Sequence, residues 1–211
     1  MNILIHEEKY RGLPLLKKMA EQDFTICGVG AIGSNLVENM TRQGFKKFTV
    51  IDMDRVEDHN RPTQAYGRRD VGQLKVSALK SKIYDQMGIN IETNSKKLEE
   101  STIKKSFVKG SIVIDGFDNA ESRKLVTEYC KTNGFTCLHA GLYKDYAEIH
   151  WNENYRIPAP VKGLDVCEYP LARNVILMTV AIVTEVLIHF LDTGLKDNYA
   201  ITLKDMHIET V

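Results

Sequence analysis

Residues 24–33 read FTICGVGAIG, and this stretch determines the class of fold that the chain can adopt. Its first four residues form the short apolar run of a buried strand, and the apolar residues that follow recur at the spacing of a helix. Between the two lies the pattern G-x-G-x-x-G, made by Gly28, Gly30 and Gly33. The stretch therefore predicts a strand, a tight glycine turn and a helix in direct succession.

In such a unit the first glycine permits the turn, the second lets the backbone approach a phosphate, and the third lets the helix pack on the strand. The helix N-terminus offers free N–H groups to an anion. We therefore predict a nucleotide phosphate loop that extends through Ala31 and Ile32. A glycine-rich turn that binds no ligand is the alternative.

The rest of the chain continues to alternate between strand and helix. Apolar patterns predict further strands at residues 48–51, 89–93, 112–114, 135–138 and 146–151, and helices around residues 32–40, 76–87, 125–129 and 171–191. Because such strands are joined by right-handed crossovers, we predict an α/β fold, Rossmann-like and doubly wound, with a mostly parallel sheet and helices on both faces. We expect one domain over residues 1–211. Its nucleotide-binding part spans residues 22–142, and a crossover loop and the C-terminal helix and strands span residues 143–211.

The composition is that of an ordinary globular protein: 211 residues, 43% hydrophobic and 27% charged, with 28 basic and 28 acidic residues. The resulting net charge of zero argues against a nucleic-acid-binding protein. The four cysteines form no C-x-x-C pair, so no zinc is expected, and their wide spacing suits a reducing compartment. We find no secretory signal, and the apolar stretch at residues 175–191 is shorter than the roughly 20 apolar residues of a membrane span. We therefore expect a cytoplasmic protein without a membrane or nucleic-acid partner.

Charged residues follow the second predicted strand. Asp52 lies 19 residues beyond Gly33, where a carboxylate accepts the hydroxyl groups of a ribose. Residues 60–82 then contain one acid and six cations, which are Arg61, Arg68, Arg69, Lys75, Lys80 and Lys82. A hydride-transfer site does not need this charge, whereas a site that stabilises charge developing on a triphosphate does. A solvated basic helix face is the alternative.

Residues 113–119 read VIDGFDN and put two carboxylates just past an apolar strand. Ligands of open α/β sheets bind at the carboxyl ends of strands, so Asp115 and Asp118 should face the same crevice as the glycine loop. A carboxylate at that position can hold a Mg²⁺ ion that bridges phosphates. The alternatives are a structural role for Asp115, and a helix cap formed by Asp118 or Asn119.

Five motifs in this order and spacing, GVGAIG, IDMD, NRPTQ, VGQLKV and VIDGFDN, resemble those of the E1-like adenylyltransferases, the ThiF/MoeB/HesA superfamily. The similarity covers residues 24–142 and is closest to the short bacterial ThiF-like members that lack zinc. The resemblance implies that ATP and Mg²⁺ activate the C-terminal carboxylate of a small ubiquitin-like or sulfur-carrier protein, or of a peptide. The products would be an acyl-adenylate and pyrophosphate. The resemblance also implies a partner that ends in glycine, and a homodimer.

The resemblance assigns roles residue by residue. The nucleotide-binding set it implies is Gly28, Gly30, Ala31, Ile32, Gly33, Asp52, Asp54, Asn60, Gln64, Lys75, Asp118 and Asn119. Within this set Asp52 resembles the ribose ligand, and Lys75 resembles the catalytic lysine that contacts the phosphates. Asp115 resembles the Mg²⁺ ligand and is also assigned to catalysis. No general base is required because the attacking carboxylate is already ionised, but cations must offset the repulsion between two anions.

The chain departs from the family pattern in the motif NRPTQ. The family usually has arginine directly before the glutamine, where this chain has Thr63. We assign the catalytic arginine to Arg61, two residues earlier, with Arg68 and Arg69 as alternatives. If none of the three reaches the phosphates, the site binds ATP but adenylates poorly. Arg11 matches a family arginine that enters from the partner subunit.

Some relatives use a cysteine in the loop before the last helix for a thioester or persulfide step. Cys167 occupies that kind of loop and is our remaining candidate catalytic residue, with an incidental thiol as the alternative. A nucleophilic thiol needs a lowered pKa, and Arg173 is the nearby cation that the sequence offers for this. The other three cysteines are predicted to lie in the core.

Two other functions stay open. An NAD-dependent oxidoreductase would explain the glycine loop but not the basic segment, and the chain has no convincing acid–base set of His, Lys and Tyr. A non-catalytic ATP-binding partner subunit would explain the threonine at position 63.

Overall fold

The computed structural model describes residues 2–158 and 170–211. These residues form seven α-helices and one eight-stranded sheet. In chain order the elements are α1 (Ile5–Arg11), α2 (Leu13–Glu21), β1 (Asp23–Cys27), α3 (Ala31–Arg42), β2 (Lys47–Ile51), α4 (Lys75–Met87), β3 (Glu92–Asn94), α5 (Glu100–Ser106), β4 (Ile112–Asp115), α6 (Ala120–Asn133), β5 (Cys137–Tyr143), β6 (Tyr146–Trp151), α7 (Arg173–Thr193), β7 (Tyr199–Thr202) and β8 (His207–Thr210).

The strand order is β3-β2-β1-β4-β5-β6-β7-β8. The first five strands in this order are β3, β2, β1, β4 and β5, and each pairs with its neighbour in parallel. Strands β6, β7 and β8 then extend the sheet by antiparallel pairing. The winding direction reverses between β1 and β4, because β2 and β3 lie on one side of β1 and the later strands lie on the other. Open α/β sheets bind ligands at such a point, outside the carboxyl ends of the strands. The predicted α/β class with a mostly parallel sheet is confirmed.

Helices cover both faces of the parallel strands, as predicted. Helices α3, α4 and α7 pack on one face, and α5 and α6 pack on the other. Strand β1 is therefore buried on both sides: Phe24 and Ile26 belong to the first core and Cys27 to the second. A strand enclosed in this way reads as a continuous apolar run, which is the pattern at residues 24–27.

Helix α7 begins and ends two residues later than predicted. By length and composition it is the one helix among the described residues that could cross a membrane. It packs on α3 and β6, and half of its most apolar window is buried. Its buried hydroxyl groups, on Thr179 and Thr184, donate to backbone carbonyl groups four residues earlier. Burial therefore leaves both hydroxyl groups satisfied.

Several elements differ from the sequence-based predictions. Strand β3 is shorter than predicted and begins three residues later, because it lies at an exposed sheet edge and has no buried face. Strand β5 extends five residues beyond its predicted end, because it pairs with β6 along its whole length. Helices α1, α2 and α5 were not predicted. The crossover loop predicted within residues 143–211 corresponds to an irregular stretch at residues 152–158, and residues 159–169 lie outside the described part of the chain.

Candidate functional site

The three glycines of the loop are required for different reasons. Gly28 has a φ of +85°, which favours glycine, and a Cβ there would lie 3.1 Å from the ring of Phe117. At Gly33 a Cβ would lie 2.0 Å from the carbonyl oxygen of Gly28, so α3 can approach β1 closely only through glycine. At Gly30 the nearest atom would be 3.9 Å away, on Gln64. Packing therefore does not require Gly30, as expected for backbone that is left open to a phosphate.

The start of α3 lies directly after this opening. Gly30 is the residue that caps α3, and it has no side chain to satisfy the first N–H groups of the helix. Those groups, on Ala31, Ile32 and Gly33, carry the positive end of the helix dipole. The structure thus has a free helix N-terminus at the position where the sequence predicts an anion site, and the anion site itself stays a prediction.

Asp52 and Lys75 are both buried beside the loop. The Asp52 carboxylate, just past β2, accepts hydrogen bonds from the N–H groups of Val29 and Asp54, each at 2.9 Å. Burial raises the pKa of Asp52 above its ordinary value, although the charge of Lys75 and the two N–H groups act in the opposite direction. Lys75 begins α4, and its Nζ lies 3.2 Å from the Asp54 carboxylate. Asp52, Asp54 and Lys75 are therefore brought together next to the glycine loop.

Residues 60–66 are held against the first turn of α3. The side chain of the buried Asn60 accepts a hydrogen bond from a backbone N–H three residues earlier, at 2.9 Å, which shapes the turn. Asn35 donates to the carbonyl oxygen of Thr63 at 2.9 Å. Ser34 accepts from the N–H of Ala65 at 3.0 Å. The motif NRPTQ is thus fixed beside the glycine loop by side chains of α3.

Gln64 lies beside the opening at Gly30. Its side-chain amide nitrogen is the atom nearest to the open face of Gly30. Its oxygen, Oε1, is buried and has no hydrogen-bond partner among residues 2–158 and 170–211. The amide nitrogen, and not the buried oxygen, therefore faces the opening.

The arginines of the basic segment do not contact the loop. The guanidinium of Arg61 pairs with Asp58 at 2.9 Å, and its side chain is 40% exposed. Arg68 and Arg69 lie on an exposed 3₁₀ turn. In the described part of the chain none of these three groups forms a hydrogen bond or ion pair with residues 28–33. The role assigned to Arg61 stays a prediction that requires its side chain to move.

Two other arginines make contacts that the sequence did not reveal. Arg173, at the start of α7, donates to the carbonyl oxygen of Pro62 at 2.7 Å and so reaches the motif NRPTQ. Arg11 pairs with Glu7 at 2.6 Å and with Glu185 at 2.5 Å, and links α1 to α7 within its own chain. Its predicted role in a neighbouring subunit stays a prediction.

The two acids of VIDGFDN have opposite environments. Asp115 is fully buried; its Oδ1 accepts from the N–H of Phe117 at 3.1 Å, and its Oδ2 lies 2.8 Å from His139 Nδ1. Asp118 is exposed. Asn119 caps α6 by accepting from the N–H of Ser122, so the helix-cap alternative applies to Asn119.

These surroundings limit how Mg²⁺ could be held. The described residues contain no cluster of three or more His, Cys, Asp or Glu that could hold a metal ion. Both oxygens of Asp115 already have partners, whereas the carboxylate of Asp118 is open to solvent. Mg²⁺ in phosphate sites commonly uses one or two carboxylates, several waters and the phosphates themselves. The residues present therefore fit an ion that arrives with phosphates, and not an ion held by protein alone.

Sequence reasoning missed a buried polar cluster behind Asp115. It consists of His139, Asn152, Arg123 and Tyr155, all less than 9% exposed. The one available signal was a histidine directly after the predicted strand at residues 135–138, and nothing in the sequence gives the pairing of His139 with Asp115 on the neighbouring strand.

The cysteines of the core are as predicted. Cys27, Cys130 and Cys137 are buried free thiols, and burial raises the pKa of Cys27 and Cys137. Such thiols are poor nucleophiles. Cys167 lies outside the described residues, so its candidate catalytic role stays a prediction.

Comparison with known proteins identifies relatives of a large part of the chain. The sequence model of the ThiF family matches residues 4–157. The NEDD8-activating enzyme E1 catalytic subunit of Arabidopsis thaliana is 29% identical over 114 residues, which cover 53% of this chain and 24% of that protein. The SAMP-activating enzyme E1 of Haloferax volcanii is 23% identical over 121 residues, which cover 56% of this chain and 45% of that protein. The chain thus spans between a quarter and a half of the length of these curated relatives.

The fold is also found in E. coli MccB. The structure of MccB with ATP gives a TM-score of 0.81 at 16% identity and covers 100% of this chain and 71% of MccB. The structure of MccB in complex with N-formylated MccA gives 0.82 at 17% identity and covers 98% of this chain and 70% of MccB.

Proposed function

Because the chain belongs to the ThiF family, we propose that it is an E1-like adenylating enzyme. It would transfer AMP from ATP to the C-terminal carboxylate of a small ubiquitin-like or sulfur-carrier protein, or of a peptide. The observation that carries the proposal is the glycine loop, in which Gly30 is left open while Lys75 and Asp52 are buried beside it. The relatives support it, since two are named activating enzymes and MccB has structures with ATP and with MccA.

The chemistry follows from the charges. A carboxylate oxygen of the partner attacks the α-phosphorus of ATP, the bond from that phosphorus to the bridging oxygen breaks, and pyrophosphate leaves with the electron pair. No side chain has to remove a proton, because the carboxylate is ionised at neutral pH. The barrier comes largely from repulsion between anions, which Lys75 and the N-terminus of α3 offset. Asp52 accepts the ribose hydroxyl groups, and the amide nitrogen of Gln64 lies beside the open face of Gly30.

We propose that Mg²⁺ binds together with the phosphates and that Asp118 is the carboxylate that meets it. A bound Mg²⁺ neutralises charge on the phosphate oxygens. Asp118 is exposed in the turn after β4, whereas the sequence-based candidate, Asp115, is fully buried and bonded to His139 and to the N–H of Phe117. At saturating ATP, Asp118→Asn should raise the Mg²⁺ concentration needed for half-maximal activity, and Asp115→Asn should not. The reverse result would restore the assignment to Asp115.

ATP–pyrophosphate exchange tests the proposed activity. The assay contains Mg²⁺ and a panel of proteins that end in Gly-Gly, together with short peptides. We expect exchange only with a suitable partner, and its loss in Lys75→Met. The matched control is Lys80→Met on the same helix, α4, which should keep the wild-type rate. Exchange that survives in Lys75→Met would contradict the assigned chemistry.

A second candidate function is a non-catalytic ATP-binding subunit. The observation that favours it concerns two positions. Position 63, where the family usually has arginine, is a threonine, and the nearby Arg61 pairs with Asp58. This candidate predicts ATP binding by calorimetry without exchange for any partner. A protein that binds no ATP would exclude both candidates.

We further propose that the protein is a homodimer, as the resemblance implies, and that it is cytoplasmic, as the sequence predicts. Helix α7 offers apolar surface for such an interface, since Leu177 is 43% exposed. Sedimentation velocity would give the mass in solution, and a monomer at all concentrations would contradict the dimer.

A further inference from the structure

A chain of buried polar side chains runs behind the glycine loop. His139, on β5, lies between Asp115 and Asn152: its Nδ1 is 2.8 Å from Asp115 Oδ2, and its Nε2 is 2.7 Å from Asn152 Oδ1. All three side chains are at most 5% exposed. Buried polar groups persist only when they are paired, so this chain is under strong geometric constraint.

The imidazole ring is fixed in orientation as well as in hydrogen bonding. It stacks on the ring of Tyr155, with centroids 3.8 Å apart and planes inclined by 5°. Tyr155 is held in turn by Arg123, which donates to its hydroxyl at 2.8 Å and to the carbonyl oxygen of Ala140 at 3.1 Å. His139 therefore presents Nδ1 to Asp115 in one direction only.

Asp115 connects His139 to the residues that shape the glycine loop. Its other oxygen accepts from the N–H of Phe117, and the N–H of Gly116 donates to the carbonyl oxygen of Cys27 at 2.9 Å. These bonds set the turn between β4 and α6, and the ring of Phe117 then lies against Gly28. The carboxylate is thus the link between His139 and the shape of the phosphate loop.

We propose that His139 is a positioning residue for nucleotide binding, which acts by holding the Asp115 carboxylate through Nδ1. This inference rests on the proposed function in taking ATP as the ligand. It gives the two ring nitrogens different roles. The Nδ1 bond sets the loop, and the Nε2 bond to Asn152 contributes to stability alone.

Two amide variants separate the nitrogens. Asparagine places its amide nitrogen close to the position of Nδ1, and glutamine places its amide nitrogen close to the position of Nε2. His139→Asn can therefore keep the bond to Asp115, whereas His139→Gln can keep the bond to Asn152. Both remove the ring and one buried hydrogen bond, but His139→Gln leaves the buried Asp115 carboxylate without its partner, so it should lose more thermal stability than His139→Asn.

The experiment measures the dissociation constant for ATP with Mg²⁺ by calorimetry, on protein shown to be folded by circular dichroism. We expect His139→Asn to bind ATP within about threefold of the wild type, and His139→Gln to bind about tenfold more weakly. Equal affinities of the two variants would overturn the inference, because a merely structural role affects both alike.

Asp115→Leu provides the second test, because leucine has nearly the shape of aspartate but can neither donate nor accept a hydrogen bond. If His139 acts through Asp115, this variant loses ATP affinity by about tenfold, and its retention of wild-type affinity would overturn the inference even if the histidine variants fail to fold. A wild-type protein that binds no ATP would overturn the proposed function and, with it, this inference. Wild-type binding with no difference between the variants would overturn the inference alone.

Discussion

Replacing Gly33 with alanine should damage the fold, and replacing Gly30 should damage ligand binding. A Cβ at position 33 would lie 2.0 Å from the carbonyl oxygen of Gly28, where ordinary contact begins at 3.4 Å. The obstacle is backbone, so α3 would have to move away from β1 by the difference of 1.4 Å between these two distances. That movement would disturb Leu36 and Met40, which are completely buried beneath the helix.

Overpacking of a core costs about 1–3 kcal/mol, and we expect about 3 kcal/mol here because backbone cannot rotate out of the way. In a chain of this size each kcal/mol lowers the melting temperature by about 2–4 °C, so Gly33→Ala should melt about 6–12 °C below the wild type. Gly30→Ala meets no atom closer than 3.9 Å. It should cost about 1 kcal/mol, because alanine is a poorer helix-cap residue than glycine.

Thermal unfolding by circular dichroism and ATP binding by calorimetry measure the two effects on the same samples. Gly30→Ala should melt close to the wild type but bind ATP at least about tenfold more weakly, since its methyl group fills the phosphate opening. A Gly33→Ala protein that melts no lower than Gly30→Ala would show that α3 does not need glycine at position 33. A Gly30→Ala protein that binds ATP like the wild type would show that the opening at Gly30 does not receive the phosphates.

Three further predictions concern thiols, the basic segment and acid stability. Ellman's reagent should find four thiols in denatured protein and at most one in native protein, because three of the four cysteines are buried; a second native thiol would contradict that burial. Arg61→Ala should lower pyrophosphate exchange by less than about fivefold, since its guanidinium pairs with Asp58 and makes no hydrogen bond or ion pair with residues 28–33 among the described residues; a hundredfold loss would establish Arg61 as catalytic. Ion pairs with Lys82 and Arg42 lower the pKa of Glu38 although burial acts to raise it. The folded state therefore binds fewer protons at this acid, and the stability it contributes at neutral pH is lost as pH falls below the ordinary pKa of 4.5. Urea unfolding at pH 6 and pH 3.5 should show an acid-induced loss in the wild type that is smaller, by about 1 kcal/mol or less, in Glu38→Gln; an equal loss in both would refute this assignment.

The sequence predicted the elements whose environment is uniform along their length. Strand β1 is buried on both faces, so its apolar run needs no knowledge of its neighbours. Helix α7 is apolar around much of its surface for a similar reason. Strand β8 has four exposed residues, and the short strand β3 has none that is fully buried. Neither carries an alternation of buried and exposed positions, and each exists because a neighbouring strand offers hydrogen bonds, which a local pattern does not contain.

The parts of the site also differ in whether they are formed by consecutive residues or by residues distant in the chain. The glycine loop is local, because the strand, the turn and the helix that create it are consecutive in the chain, and the structure has it where predicted. The contact of His139 with Asp115 joins residues 24 positions apart and depends on the register between β4 and β5. The contact of Arg173 with Pro62 joins residues 111 positions apart. Periodicity gives no register, so neither contact could be predicted from spacing.

The motif VIDGFDN shows how this limits the assignment of acids. Alternate residues of a strand face the same side of the sheet, so Asp115 shares a side with Val113, which packs in the core beneath α5 and α6. Its carboxylate is therefore buried by the strand itself and must be paired within the protein, as it is by His139 and the N–H of Phe117. Asp118 comes three residues later, in the turn, and escapes this constraint. An acid that ends a strand is thus suited to hold the architecture of the site, and an acid in the following turn is suited to meet a ligand.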